Sequence, residues 1–190
     1  MSALEIAAVA TSFLAIWLTA RRRMLCWPIN LVACALYFEL FLDVRLYADM
    51  MLQVMFGAGI LYGWINWARG KQQAGTVVVV PLRAAPAGAG LVAGALGAVA
   101  IGWFTSNHTD AALPWLDATL SSFSLVAQWW TARRHRESWL LWIAVDAIYV
   151  GLFAFKGLML TAGLYAALIV LAVLGFAGWR RRRVDVCDEA

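Results

Sequence analysis

Two short stretches carry side chains that could hold a small molecule inside a chain that is otherwise strongly apolar. In CWPINLVAC (26–34), Trp27, Asn30 and Cys34, followed by Tyr37, stand zero, three, seven and ten residues along, which is one face of a helix. In SWLLWIAVD (138–146), Trp139, Trp142 and Asp146, followed by Tyr149, repeat that spacing. Asp49 and Gln53 are four apart, as are Thr161 and Tyr165, and Gln128 shares a face with Ser121 and Ser124. A polar group in such a segment costs several kcal/mol unless it is paired or wet, so each is a candidate for function. Aromatic walls with a few amide and carboxylate groups suit a flat heteroaromatic ligand that carries hydroxyls. A tryptophan face also attracts a cation, by about 2 kcal/mol when desolvated. Asp49 and Asp146 equally suit polar contacts that close one helix against another.

Composition decides what must position these residues. Of 190 residues, 64% are hydrophobic and 14% charged, against roughly 25% charged in soluble domains. Mean hydropathy is +0.76. A chain this short cannot hide that excess in one core, so its surface must face lipid. The apolar runs are continuous rather than alternating, which excludes a barrel and requires helices. Seven runs are expected, near 3–20, 24–42, 46–68, 88–105, 115–132, 138–155 and 158–179. The fold class is therefore an all-α integral membrane protein with seven transmembrane helices. A polar linker is expected over 69–87 and a shorter loop over 106–114. The first run has arginines after it and none before it, so it reads as a retained span rather than a signal peptide.

The basic residues partition cleanly. With seven crossings, Arg21 to Arg23, Arg69, Lys71, Arg83, Arg133, Arg134, Arg136 and Arg180 to Arg183 fall on one side, leaving Arg45 and Lys156 on the other. The positive-inside bias puts the C-terminus in the cytoplasm and the N-terminus outside. Clusters placed this way mark topology, and no nucleic-acid partner is expected. Cys26, Cys34 and Cys187 lack metal-ligand spacing and read as small packing residues. His108 and His135 fall in loops on opposite sides, which leaves no embedded catalytic or two-histidine metal site, and no cofactor is expected. Lys71 and Lys156 sit at loops, so the last helix lacks the lysine a retinal protein needs.

Residues 5–70 overlay 117–182 without a gap at an offset of 112. TARR (19–22) falls on TARR (131–134), Trp27 on Trp139, Tyr37 on Tyr149, Gly63 on Gly175 and Trp67 on Trp179. Three helices, a linking helix within 71–114 and three more helices form one transporter domain, with a tail over 183–190. An odd repeat plus one linker gives parallel repeats, with a substrate site near the midplane between them. The linking helix has small residues, among them Gly90 and Gly94, suited to close packing. Trp17, Trp67, Trp129 and Trp179 flank the basic clusters and are expected as interface anchors. Trp27 and Trp139 lie near the same edge, where anchoring and ligand contact both remain open. Trp142 and Gln53 lie deeper and are expected at the ligand.

WPIN (27–30), RLYADMMLQ (45–53), YGWINW (62–67), WLLWIAVD (139–146) and KGLMLTAGLY (156–165) resemble the PnuC family of bacterial vitamin transporters over nearly the whole chain. The resemblance implies a three-plus-one-plus-three fold like that of full-length SWEET sugar transporters, in the bacterial inner membrane. It implies facilitated diffusion of nicotinamide riboside, trapped in the cell by phosphorylation, and a homotrimer. It places Trp139, Trp142 and Gln53 at the ligand, and with them Thr161 and Tyr165. Met159 stands where the family usually has an aromatic residue, and Asn30 stands where a second tryptophan would. Relatives carry thiamine or riboflavin, and a non-transporting membrane sensor or structural subunit is the reading from another class. Trp142→Ala is expected to weaken vitamin binding about tenfold or more, the loss of one desolvated stacking and cation–π contact, while Trp17→Ala changes it little. Calorimetry on both variants checks this, and equal losses would contradict the sorting of anchors from walls.

Overall fold

A computed structural model describes residues 3–43, 47–70, 72–73, 76–108, 113–155 and 159–184. The described helices are α1 (Ala3–Ala20), α2 (Cys26–Asp43), α3 (Tyr47–Arg69), α4 (Ala84–His108), α5 (Pro114–Ala132), α6 (Ser138–Phe155) and α7 (Met159–Val184). A short antiparallel hairpin of β1 (Gln72–Gln73) and β2 (Thr76–Val77) lies between α3 and α4. α1, α2, α4 and the 162–179 part of α7 are each long and apolar enough to cross a membrane. α3 and α5 have 23 and 19 residues, enough at about 1.5 Å per residue for a hydrocarbon core of about 30 Å. Their lower hydropathy comes from polar groups used inside the protein, such as Asn66 and Ser122, which bond carbonyls of neighbouring helices.

The helices close into a ring. α1 packs on α2, α2 on α3, α3 on α5, α5 on α6, α6 on α7, and α7 returns to α1. α4 stands outside the ring against α5. A Cβ at Gly94 or Gly97 would run into Phe123 or Ser122, and Ser122 Oγ donates to the Gly94 carbonyl at 2.8 Å. The small-residue face is thus spent on close packing. Away from α5, Leu91, Val92, Leu96 and Val99 are exposed, as a lipid-facing side requires.

Several boundaries differ from the expected ones. α4 starts at Ala84 rather than 88, because Pro86 falls in the first turn, where a missing N–H has no intrahelical partner to lose. It also runs on to His108, and α5 begins at Pro114, so the second loop is shorter than expected. α7 continues through the arginines to Val184. The region 69–87 is not simply a polar linker. Val77 is buried among the indoles of the core and Val79 packs against the same cluster. Val80 N–H donates to the Arg134 carbonyl at 3.0 Å, and His135 Nδ1 bonds the Val80 carbonyl at 2.9 Å. Arg22 Nη1 reaches the Val77 carbonyl at 3.4 Å. The segment straps both arginine turns.

Those turns are built alike. Arg22 and Arg134, 112 apart, both have positive φ, 55° and 67°. Arg23 N–H reaches the Leu18 carbonyl at 3.0 Å and Arg22 N–H the Thr19 carbonyl at 2.9 Å. His135 to Trp130 and Arg134 to Thr131 repeat both bonds at 3.0 and 2.9 Å. This is a Schellman end with arginine in the left-handed position, a conformation that costs a non-glycine residue roughly 1–2 kcal/mol. It satisfies the third- and second-last helical carbonyls. The last ones, of Ala20 and Ala132, are met from other helices. Asn66 Nδ2 donates to Ala132 O at 2.7 Å, and Trp179 Nε1 donates to Ala20 O at 3.1 Å. Trp67 Nε1 adds a second bond to Thr131 O at 3.1 Å.

The four tryptophans expected as interface anchors therefore divide. Trp17 and Trp129 are exposed, each under an arginine, Arg21 at 4.4 Å and Arg133 at 4.6 Å from the ring centre. Trp67 and Trp179 are buried core residues, because their indole N–H groups cap helix ends across the ring. Trp27, Trp67, Trp179 and Trp139 follow one another at centroid distances of 5.1, 6.0 and 5.6 Å. Gly63 makes room for the Trp27 ring and Gly175 for the Trp139 ring. Gly63→Ala should lower the thermal midpoint in detergent, because its Cβ falls inside the Trp27 ring and overpacking costs about 1–3 kcal/mol. Gly57→Ala, with nothing within 4 Å of its Cβ, should hold or raise it, since alanine is the better helix former by about 1 kcal/mol. Equal shifts in a melting assay would contradict this packing.

Candidate functional site

The ring encloses a cavity of about 370 Å³. All six ring helices line it, and no residue of α4 does. At the arginine-rich end it rests on Trp27, Trp139, Thr19 and Thr131, and it extends past Tyr37, Tyr149 and Tyr165. Trp27 and Trp139 are buried, and the described residues supply no acceptor for either indole N–H. Thr19 and Thr131 turn their hydroxyls back to Ala15 and Ala127 carbonyls at 2.8 and 2.9 Å, a common use of threonine within a helix. Trp142 Nε1 donates to Thr131 Oγ1 at 3.4 Å, which holds its ring at the wall. Asn30 Nδ2 bonds the Cys26 carbonyl at 3.0 Å, leaving its amide oxygen for other donors.

Most wall positions come in pairs 112 apart. Ser12 answers to Ser124, Ile16 to Gln128, Asn30 to Trp142, Cys34 to Asp146, Tyr37 to Tyr149, and Gln53 to Tyr165. The pairs match in place; Ser12–Ser124 and Tyr37–Tyr149 keep the same residue, and the other four differ in chemistry. Asp146 is the one acidic side chain among the described lining residues, and it is buried. The matching position in the first half is the free thiol of Cys34. Tyr149, three residues beyond Asp146 on α6, stacks on Tyr165 at 4.6 Å.

The structure brings together Trp27, Asn30, Gln53, Gln128, Trp139, Trp142, Asp146, Tyr149 and Tyr165 around this one space. The side chains of Asp49 and Thr161 lie outside the described residues. Thr19, Thr131 and Ser12 also line the cavity and were not singled out from the sequence. The signal that marks them is the repeat itself, through the paired TARR turns and the Ser12–Ser124 match. Among the described residues no group of histidine, cysteine and acidic side chains is placed to hold a metal.

A ring of helices, several of them long and apolar enough to cross a membrane, around an aromatic-walled cavity is the form of a multi-pass membrane transporter. The chain belongs to the PnuC family of vitamin transporters. Residues 2–181 match the family described as Nicotinamide mononucleotide transporter. The Nicotinamide riboside transporter PnuC of Escherichia coli (strain K12) is 26% identical over 206 residues, covering 94% of this chain and 85% of that protein. The Riboflavin/roseoflavin transporter RibM of Streptomyces davaonensis is 31% identical over 173 residues, covering 87% and 79%. A crystal structure of the vitamin B3 transporter PnuC superposes with a TM-score of 0.74 at 25% identity, covering 94% of this chain and 80% of that one.

Proposed function

We propose that this protein lets nicotinamide riboside pass down its gradient into the cell, held in the cavity between two parallel three-helix repeats arranged as in full-length SWEET transporters. The arginine-rich end then faces the cytoplasm, the N-terminus lies outside, and the chain sits in the inner membrane as a homotrimer. The observation that carries the choice of vitamin is Asp146, the lone acid in the described wall, four residues from Trp142. A buried, uncompensated carboxylate is costly, and a bound cation offsets that cost. Nicotinamide riboside carries a fixed positive charge on its pyridinium ring, which Trp142 attracts across its face and Asp146 through its charge. The ribose hydroxyls then fall to the amides of Asn30, Gln53 and Gln128, with Trp27, Trp139, Tyr149 and Tyr165 as the surrounding wall. Asp49 and Thr161 belong to the same proposed site by their place on α3 and α7. The volume lies at the lower end of the range for small-ligand sites, about 300–1,000 Å³, which suits a one-ring nucleoside.

Riboflavin is the second reading, favoured by the likeness to RibM, and thiamine, also cationic, the third. Charge separates riboflavin from the other two. Among its described residues the wall offers one acid and no matched set of acids for sodium or a proton relay, which favours facilitation. Protein in liposomes should equilibrate labelled nicotinamide riboside with no ion gradient imposed, and accumulation that demands a gradient would contradict the proposal. Asp146→Asn should weaken nicotinamide riboside binding about tenfold, the scale of one close charge pair at about 1.4 kcal/mol, and leave riboflavin binding within about twofold. The reverse ranking would favour riboflavin, and binding without flux would favour a sensor.

A further inference from the structure

The ring has two seams where helices from different halves meet, α3 on α5 and α7 on α1. At the offset of 112 they occupy the same place, so their contacts compare residue by residue. Across the α3–α5 seam Tyr62 stacks on Trp129 at 4.7 Å, Asn66 donates to Ala132 O at 2.7 Å and Trp67 donates to Thr131 O at 3.1 Å. Across the α7–α1 seam the position of Tyr62 is held by Leu174, that of Asn66 by Gly178 and that of Trp67 by Trp179. Leu174 is exposed and offers no ring to Trp17. Gly178 offers no donor. Trp179 has shifted by one carbonyl, to Ala20, the counterpart of the Ala132 carbonyl that Asn66 holds. One indole does at this seam what an amide and an indole share at the other.

The strap strengthens the same contrast. It runs from α3 to α4, and α4 packs on α5. It bonds the α5–α6 turn at the Arg134 carbonyl and at His135 Nδ1, at 3.0 and 2.9 Å. α3, the strap, α4 and α5 therefore make one braced unit. α1 and α7, the first and last helices of the ring, meet without a connecting segment.

We propose that the cavity opens at its arginine-rich end along the α1–α7 seam, with Trp179 leaving the Ala20 carbonyl, while the α3–α5 seam stays closed as the fixed side of the ring. The indole row then parts between Trp67 and Trp179, whose 6.0 Å separation is the widest in the row. This inference rests on the transport reading above and adds which helices move.

The clamp can be transplanted. A Cβ at Gly178 meets nothing nearer than the Ala20 carbonyl oxygen at 3.9 Å, so Gly178→Asn has room to copy Asn66, and Leu174→Tyr copies Tyr62. The double variant should bind nicotinamide riboside like the unmodified protein and pass it about tenfold more slowly, as one added hydrogen bond and one stack across a closed gate imply. Unchanged flux would overturn the inference. In a background with Cys26, Cys34 and Cys187 replaced by alanine, a short reducible bis-thiol bridge between Ala20→Cys and Gly178→Cys should stop flux in liposomes until it is reduced. The same bridge between Asn66→Cys and Ala132→Cys should leave flux near that of its reduced form. A block by the Asn66–Ala132 bridge, or flux through the Ala20–Gly178 bridge, overturns the inference while the reduced proteins still uphold transport. Unmodified protein that passes no vitamin overturns the transport reading, and this inference with it.

Discussion

The ring depends on two carbonyl groups. Each arginine turn ends its helix with a Schellman motif that leaves the last carbonyl, of Ala20 in α1 and Ala132 in α5, without a partner in its own helix. Near a membrane a bare backbone group costs several kcal/mol, so the partner must come from elsewhere. It comes from α7 and α3, through Trp179 and Asn66. That requirement pulls α7 onto α1 and α3 onto α5, which closes six helices around a space. It also draws Trp179 off the membrane interface and into the core, where Trp67 joins it with a bond to the Thr131 carbonyl. Gly63 and Gly175 then let Trp27 and Trp139 lie against them, and the cavity gains its indole base.

How much of this was legible in the sequence follows from what each feature depends on. The helical segments were legible because continuous apolar runs of membrane length have few other solutions. The cavity wall was legible because Trp27, Asn30, Cys34 and Tyr37 recur in spacing as Trp139, Trp142, Asp146 and Tyr149, and a shared spacing gives a shared face. Trp67 and Trp179 were read as interface anchors because their neighbours are arginines. Their partners are main-chain carbonyls of helices distant in the chain, and a main-chain carbonyl has no signature in residue type. The strap was hidden for a related reason. Val77 lies in a stretch whose glutamines, glycines and arginines mark a loop, and only the arginine turns it bridges show that its valines are buried. The early start of α4 at Ala84 was obscured by Pro86, which usually signals a break and here occupies the first turn.

The two halves differ at matched positions of the wall and of the seams. A wall of matched positions would present the same face twice to a ligand that has two unlike ends. Asp146 stands where the first half has Cys34, and Trp142 where it has Asn30, so the one described acid of the wall and the second tryptophan of its motif belong to the second half. The same kind of divergence recurs at the seams, where Asn66 and Tyr62 on one side face Gly178 and Leu174 as their counterparts. Duplication sets the frame, and single substitutions within it give direction to the ligand and, as we propose, to the motion.

In the proposed complex the vitamin lies inside the six-helix ring with its cationic ring against Trp142 and Asp146. A structure determined with nicotinamide riboside bound tests it most directly. The account predicts ligand density within the ring, the pyridinium over the Trp142 indole and within salt-bridge reach of the Asp146 carboxylate. Density outside the ring, between α4 and its neighbours, or inside it with the pyridinium turned away from Asp146, would contradict it.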